Sequence, residues 1–170
     1  MMKFYKKEKG ITFVEMLVYT AIFSVVFAIL TGFIVWVYQA NAKSQAIREV
    51  SGNTQRAMQV ILKEITEGKS IYTPITSATQ LSLETINQLP TQETSTYVDI
   101  FLCGNQICLK RESENVFALT SNRVIVSNLK FVQFEADTSP AIQVSFLIDY
   151  INPGMMAALS ATSTAVLRGY

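Results

Sequence analysis

No histidine occurs anywhere in the chain. The commonest general base and the commonest metal ligand are therefore missing, which argues against an enzyme before any motif is weighed. Cysteine is nearly as scarce, with Cys103 and Cys108 the only pair. Two thiolates without histidine fall short of a four-ligand zinc site, and their spacing excludes a redox C-x-x-C. Charged residues make up 16% of the sequence and leave a formal net charge of +1, so no general attraction to nucleic acid is expected. Lys110, Arg111, Arg123 and Lys130, with Phe131 nearby, are the one candidate patch for nucleic acid, and the near-neutral balance argues against that use. No Gly-rich phosphate loop or nucleophile motif occurs. Asp99, Asp137 and Asp149 are scattered and read as solvated strand or loop acids. No cofactor is implied.

Charge is also missing from the whole of residues 16–42. The most apolar part, 16–38, would make a helix of roughly 34 Å at 1.5 Å per residue, enough for a hydrocarbon core of roughly 30 Å. Before it, Lys3, Lys6, Lys7 and Lys9 stand against Glu8. Lysines ahead of the span and none just after it place the N-terminus in the cytoplasm and export the rest of the chain. Trp36 and Tyr38 sit near the far end, where amphipathic rings favour the interface. A cleavable secretory signal has an apolar core of only about 7–15 residues, and this run is too long for one. A plain uncleaved anchor fits the hydropathy. It leaves Glu15, at the leading edge of the span, as a mere interfacial charge, although a charge at the bilayer centre costs roughly 3 kcal/mol or more.

The neighbours of Glu15 give it a different reading. Gly10 follows the lysines directly, and Ile11, Thr12, Phe13, Val14 and Glu15 lead into the apolar run. This resembles the class III leader of type IV pilins and of type II secretion and competence pseudopilins. In that family a basic leader ends in Gly, a membrane aspartyl peptidase cuts after it, the new N-terminal residue is methylated, and the fifth mature residue is Glu. The resemblance implies cleavage between Gly10 and Ile11, methylation of Ile11, and an assembly role for Glu15 as partner of the Ile11 amine of a neighbouring subunit. The family's usual F-T-L-I-E stands here as I-T-F-V-E. Major pilins often carry Pro at the twenty-second mature position, where this chain has Gly32, a residue that lowers helix stability by about 1 kcal/mol relative to Ala and opens the way to local unwinding.

After Tyr38 the sequence turns polar but stays helix-compatible to Glu67. Ile47, Val50, Thr54, Met58, Ile61 and Ile65 are spaced at an average of 3.6 residues, the period of one helical face. An amphipathic helix packed on a sheet is expected, with Gly52-Asn53 as a weak point and Gly68 as the stop. Beyond it the pattern becomes β. "YVDIFLC" and "QICLKRE" flank Gly104-Asn105, a pair suited to a tight hairpin. "RVIVSNLKFVQFEA" reads as another strand or two. "AIQVSFLIDYI" alternates, with Ile142, Val144, Phe146, Ile148 and Tyr150 on one face. "STAVLRGY" reads as a closing edge strand, "PTQETST" and "RESEN" as loops, and "INPGMMAALS" as a loop or short helical turn.

The expected fold is α+β: a long N-terminal helix on an antiparallel sheet. The expected boundaries are a leader at 1–10, a membrane segment at 11–38, an amphipathic helix at 39–67 and a sheet domain at 68–170. In an exported domain a disulfide between Cys103 and Cys108 is the default. A two-residue turn at Gly104-Asn105 would set Cys103 against Gln106 and Cys108 against Phe101, offsetting the sulfurs diagonally. Cβ atoms roughly 3.8 Å apart instead favour a four-residue loop, so register and disulfide are linked.

The strand layout around "ALTSNRVIVSNLKFVQFE" and "IQVSFLIDY" is similar to J-type minor pseudopilins and W-type minor pilins. That resemblance implies a minor structural subunit of a pilus or pseudopilus, acting in a tip or initiation complex at the inner membrane. Its partners would be the prepilin peptidase, other pilin or pseudopilin subunits, the inner-membrane assembly platform and the lipid bilayer. The alternatives are a major pilin, or a membrane-anchored exported binding domain that never polymerises.

Overall fold

The computed structural model describes residues 10, 12–73, 76–86, 94–112, 114–134, 140–152, 154 and 156–168. Lys3, Lys6, Lys7, Lys9, Ile11 and Asp137 lie outside the described residues. Among the described residues one helix, α1 (Phe13–Glu67), precedes eight strands: β1 (Ser70–Ile71), β2 (Gln80–Thr85), β3 (Thr96–Cys103), β4 (Gln106–Arg111), β5 (Phe117–Ala118), β6 (Val124–Phe134), β7 (Ala141–Tyr150) and β8 (Ala158–Val166). The fold is α+β, as the periodicities predict. The chain divides into two units, Met1–Asn41 and Ala42–Tyr170.

In the first unit α1 continues through Gly32 without a break, so the helix does not unwind there. A single glycine costs about 1 kcal/mol, too little to open a long helix whose freed backbone groups would find no other partner in an apolar setting. The hydroxyls of this segment turn back on their own helix. Thr20 Oγ1 donates to the carbonyls of Met16 and Leu17, both at 3.0 Å, Ser24 Oγ donates to that of Ala21 at 2.8 Å, and Thr31 Oγ1 donates to that of Phe27 at 2.8 Å. Polar groups satisfied within the segment are what a lipid environment requires.

In the second unit α1 ends at Glu67, where Gly68 stops it as expected. A Cβ on Gly68 would lie 3.2 Å from the Ile65 carbonyl oxygen. The buried side of this part of α1 consists of Ala46, Val50, Asn53, Thr54, Ala57, Ile61, Glu64 and Ile65. Val50, Thr54, Ile61 and Ile65 follow the expected stripe, but Ile47 is 50% exposed and Met58 is only half-buried. The buried face is rotated toward Ala46 and Ala57. Asn53, expected at a weak point, is instead buried and bonded: its Nδ2 donates to the Glu49 carbonyl at 2.8 Å, and its Oδ1 accepts from the Ser121 amide at 2.7 Å.

The sheet is two sheets, one of five strands in the order β1-β2-β3-β4-β5 and one of three in the order β6-β7-β8. All pairings are antiparallel. One hydrophobic cluster joins them, taking Val50, Ala57, Ile61 and Ile65 from α1, Leu83, Val98, Ile100 and Leu109 from the first sheet, and Val126, Phe131, Val144 and Ile148 from the second. Backbone bonds also link the sheets, from the Val126 amide to the Asn105 carbonyl and from the Phe131 amide to the Ala78 carbonyl, both at 2.9 Å. "RVIVSNLKFVQFEA" forms one strand, β6, broken by a bulge between Ser127 and Lys130 where Asn128 takes a φ of 55°. Asn tolerates that conformation better than most residues. β7 alternates as expected, with Ile142, Val144, Phe146 and Ile148 buried. β8 is a closing edge strand, but it begins at Ala158, so the end of "INPGMMAALS" is strand and not loop.

The hairpin corrects the link drawn between register and disulfide. Cys103 pairs with Gln106 and Phe101 with Cys108 across the two-residue turn, yet Cys103 and Cys108 are bonded, with Cα atoms 5.8 Å apart. That separation lies within the usual disulfide range. The strong right-handed twist of a two-stranded ribbon brings one diagonal of the ladder closer than a flat drawing suggests. Gly104, at φ 64°, supplies the positive first position of the turn. The bridge closes a short loop, so the double substitution Cys103→Ser/Cys108→Ser is expected to cost about 2 kcal/mol and to keep the turn. Thermal unfolding of the oxidised and substituted chains, with amide exchange at Phe101 and Cys108, measures both.

Candidate assembly site at the start of the long helix

The helix begins with a cap. Thr12, just before α1, accepts a hydrogen bond from the Glu15 amide on its Oγ1 at 3.3 Å, and its carbonyl takes the Met16 amide at 3.2 Å. Thr12 and Glu15 are therefore the N-cap and third residue of the T-x-x-E arrangement that opens many helices. Glu15 also places a negative charge in the first turn, where the helix dipole favours it by about 0.3–1 kcal/mol. One turn on, the Tyr19 hydroxyl donates to Glu15 Oε1 at 3.4 Å. The T-x-x-E signal is visible in the sequence and makes Thr12, which also stands at the Thr of the family's F-T-L-I-E, part of the site, while Tyr19 joins it only through its hydroxyl.

No charged residue follows Glu15 until Lys43. Over that stretch the helix is long and apolar enough to cross a membrane, and its side chains are exposed in the isolated chain. Gly10 is exposed and non-helical, and nothing lies within 4 Å of where its Cβ would be. The residue after which the leader would be cut is thus accessible and precedes the helix. Residues 5–31 match a family model, the prokaryotic N-terminal methylation motif. The chain carries a class III prepilin leader.

That match supports the type IV pilin and pseudopilin family, and with it a structural subunit of pilin or pseudopilin type. A prepilin leader implies processing by a prepilin peptidase and assembly with other pilins. The apolar helix fits the membrane anchor of such a prepilin. No curated protein and no solved structure matches the chain.

The remaining candidates separate. The basic residues do not build a nucleic-acid surface with Phe131, which is buried in the core cluster. Arg111 is committed elsewhere: its Nη2 lies 2.7 Å from Glu64 Oε1 and its Nη1 3.2 Å from Glu114 Oε2. Burial works against the Arg111 charge, but the Glu64 and Glu114 carboxylates together outweigh it and hold the guanidinium above its usual value. Asp99 is half-buried and accepts a hydrogen bond from the buried Ser82 Oγ on the adjacent strand. Glu64 and Arg111 are 47 positions apart, and nothing in the sequence pairs them.

Proposed function

We propose that the chain is a minor pilin or pseudopilin that acts in a tip or initiation complex. It is inserted with its leader in the cytoplasm, cut between Gly10 and Ile11, and methylated on the new Ile11 amine. It then leaves the bilayer for the filament, where Glu15 pairs with the Ile11 amine of a neighbour. The observation that carries this reading is the placement of Glu15: one carboxylate at the head of a span otherwise free of charge, five residues beyond an accessible Gly10. An intramembrane ionisable group calls for a partner, and an α-amine freed beside it is the natural one. The layout of a long helix followed by β6, β7 and β8 favours the minor role, by likeness of pattern to J-type and W-type subunits.

Intact mass tests the processing, measured on the protein from cells with and without prepilin peptidase. The expected product lacks the ten leader residues and carries one added methyl group. A chain that stays full length beside an active peptidase would leave only the anchored, non-polymerising domain. Counting copies against other subunits in sheared filaments tests the minor role. Near-equal abundance would mean a major pilin.

A further inference from the structure

We infer that the free edge of β8 is a docking site for a β-strand donated by a different subunit of the same assembly. The first observation is the hydrogen-bond parity of the edge. Just beyond the two ends of the β7–β8 ladder, the Tyr150 amide donates to the Ala157 carbonyl at 2.9 Å and the Leu167 amide to the Pro140 carbonyl at 3.1 Å. Opposed residues in an antiparallel pair alternate between bonded and non-bonded, and the register runs unbroken from Ala158 to Val166. The odd-numbered residues 157–167 therefore face β7. Ala158, Ser160, Thr162, Thr164 and Val166 turn their amides and carbonyls away from it, and no described residue pairs with those groups.

Among the described residues nothing protects this edge. Natural proteins shield edges with Lys, Pro, bulges or very short strands. β8 has nine residues, ALSATSTAV, with no charge, proline, glycine or bulge.

A second observation lies beside it. Ile47, Val50 and Ser51 of α1 and Ala157, Ala158 and Leu159 line an open apolar groove of about 190 Å³. Ile47 is 50% and Leu159 40% exposed. Ile47 belongs by its spacing to the core stripe of α1, but the sheet ends at β8, one strand short of covering it. A strand added to the β8 edge would bring its inward side chains over Ile47 and Leu159. Main-chain bonds and side-chain pockets together are the mode of strand addition. The fitting donor is an uncharged strand, apolar on the face toward α1, with small or hydroxyl residues opposite Ser160, Thr162 and Thr164.

The donor is not a second copy. Antiparallel pairing of β8 with itself places a two-fold axis normal to the sheet, which reverses the part of α1 packed on it. Co-assembled subunits anchored by their helices need α1 to run the same way in each, a condition that rests on the pilin reading. The chain has no other suitable edge among the described residues. β1 and β5 have two residues each, and β6 is tied to the first sheet at Val126 and Phe131.

Photo-crosslinking of the full chain in its native cells tests the inference, with a crosslinking residue at Ser160 and a second probe at Phe23. The expected Ser160 adduct joins a distinct protein that bears its own prepilin leader, through a peptide of alternating apolar residues. Thr162→Pro removes an amide that β7 does not use, and edge strands tolerate such prolines. The thermal melt should be unchanged while the Ser160 adduct falls by about tenfold or more. Ile47→Glu should lower it likewise. Self-adducts at Ser160, or an adduct unaffected by Thr162→Pro, overturn the inference. So does a Ser160 probe that captures nothing while the Phe23 probe captures a pilin neighbour. If neither probe captures a pilin-type subunit, the family-based reading falls and this inference falls with it.

Discussion

Glu15→Ala is expected to leave the protein in the membrane and out of the filament. Insertion does not need the carboxylate, since removing a charge from the edge of an apolar span makes that span easier to bury. The lost first-turn interaction with the helix dipole is worth about 1 kcal/mol at most, and the Thr12 cap remains. Assembly is another matter. On the proposed pairing, once helices leave lipid for one another the Ile11 amine of a neighbour would lose its counter-charge in a low-dielectric setting. Breaking a buried pair costs roughly 3–5 kcal/mol, a factor of roughly 10² to 10³ or more in incorporation. Glu15→Gln should behave like the alanine variant, because it keeps shape and loses charge. Membrane and sheared-filament fractions, compared by immunoblot, measure this directly. Normal incorporation of either variant would remove Glu15 from the mechanism and leave it as part of a helix cap alone.

The second large effect concerns the globular unit. Glu64 is 9% exposed and sits on the core side of α1 between Ile61 and Ile65. Arg111→Ala strips it of its 2.7 Å partner and leaves a carboxylate against an apolar cluster. Loss of one member of a fully buried pair costs roughly 3–5 kcal/mol. The Arg111 side chain keeps 29% of its exposure, so solvent screens part of the charge and about 2–3 kcal/mol is the expected loss. The melting temperature should fall by roughly 5–12 °C. The double variant Glu64→Leu/Arg111→Met should recover most of it, since a well-packed apolar pair often equals a buried ion pair. Thermal unfolding followed by the β-sheet circular dichroism signal checks both. A single variant as stable as the parent would mean that water already reaches Glu64.

These two residues divide the molecule by how each was legible. The placement of Glu15 at the head of the uncharged helix could be read from the sequence because everything that defines it is local: the lysines, Gly10, the five-residue offset, the T-x-x-E cap and the uncharged run. Local chemistry also accounts for the stop at Gly68, the turn at Gly104-Asn105 and the alternation from Ile142 to Ile148. Each is a rule about neighbours within a few positions, and tertiary contacts reinforced it. Glu64 could not be read. Its spacing put it off the apolar stripe, where a glutamate belongs, and its partner lies on a strand 47 positions away.

The same limit applies wherever the answer depended on what packs against what. The stripe through Ile47 and Met58 was correct in period, yet the buried face turned toward Ala46 and Ala57, because the contact distance between helix and strand is set by both surfaces. Asn53 became an anchor for Ser121 and not a weak point, since a polar side chain stabilises a helix or disrupts it according to what it meets. The cysteines joined across a tight turn because strand twist, a property of the paired ribbon, moved their diagonal into range. By itself the sequence determined the N-terminal methylation motif, the long uncharged apolar run, the place of the carboxylate and the α+β class, all of which follow from short-range composition and periodicity. Tertiary structure alone decided that there are two sheets, that Glu64 is buried beside Arg111, and that the second sheet stops at β8 with Ile47 uncovered, because those depend on contacts between segments that no local pattern encodes.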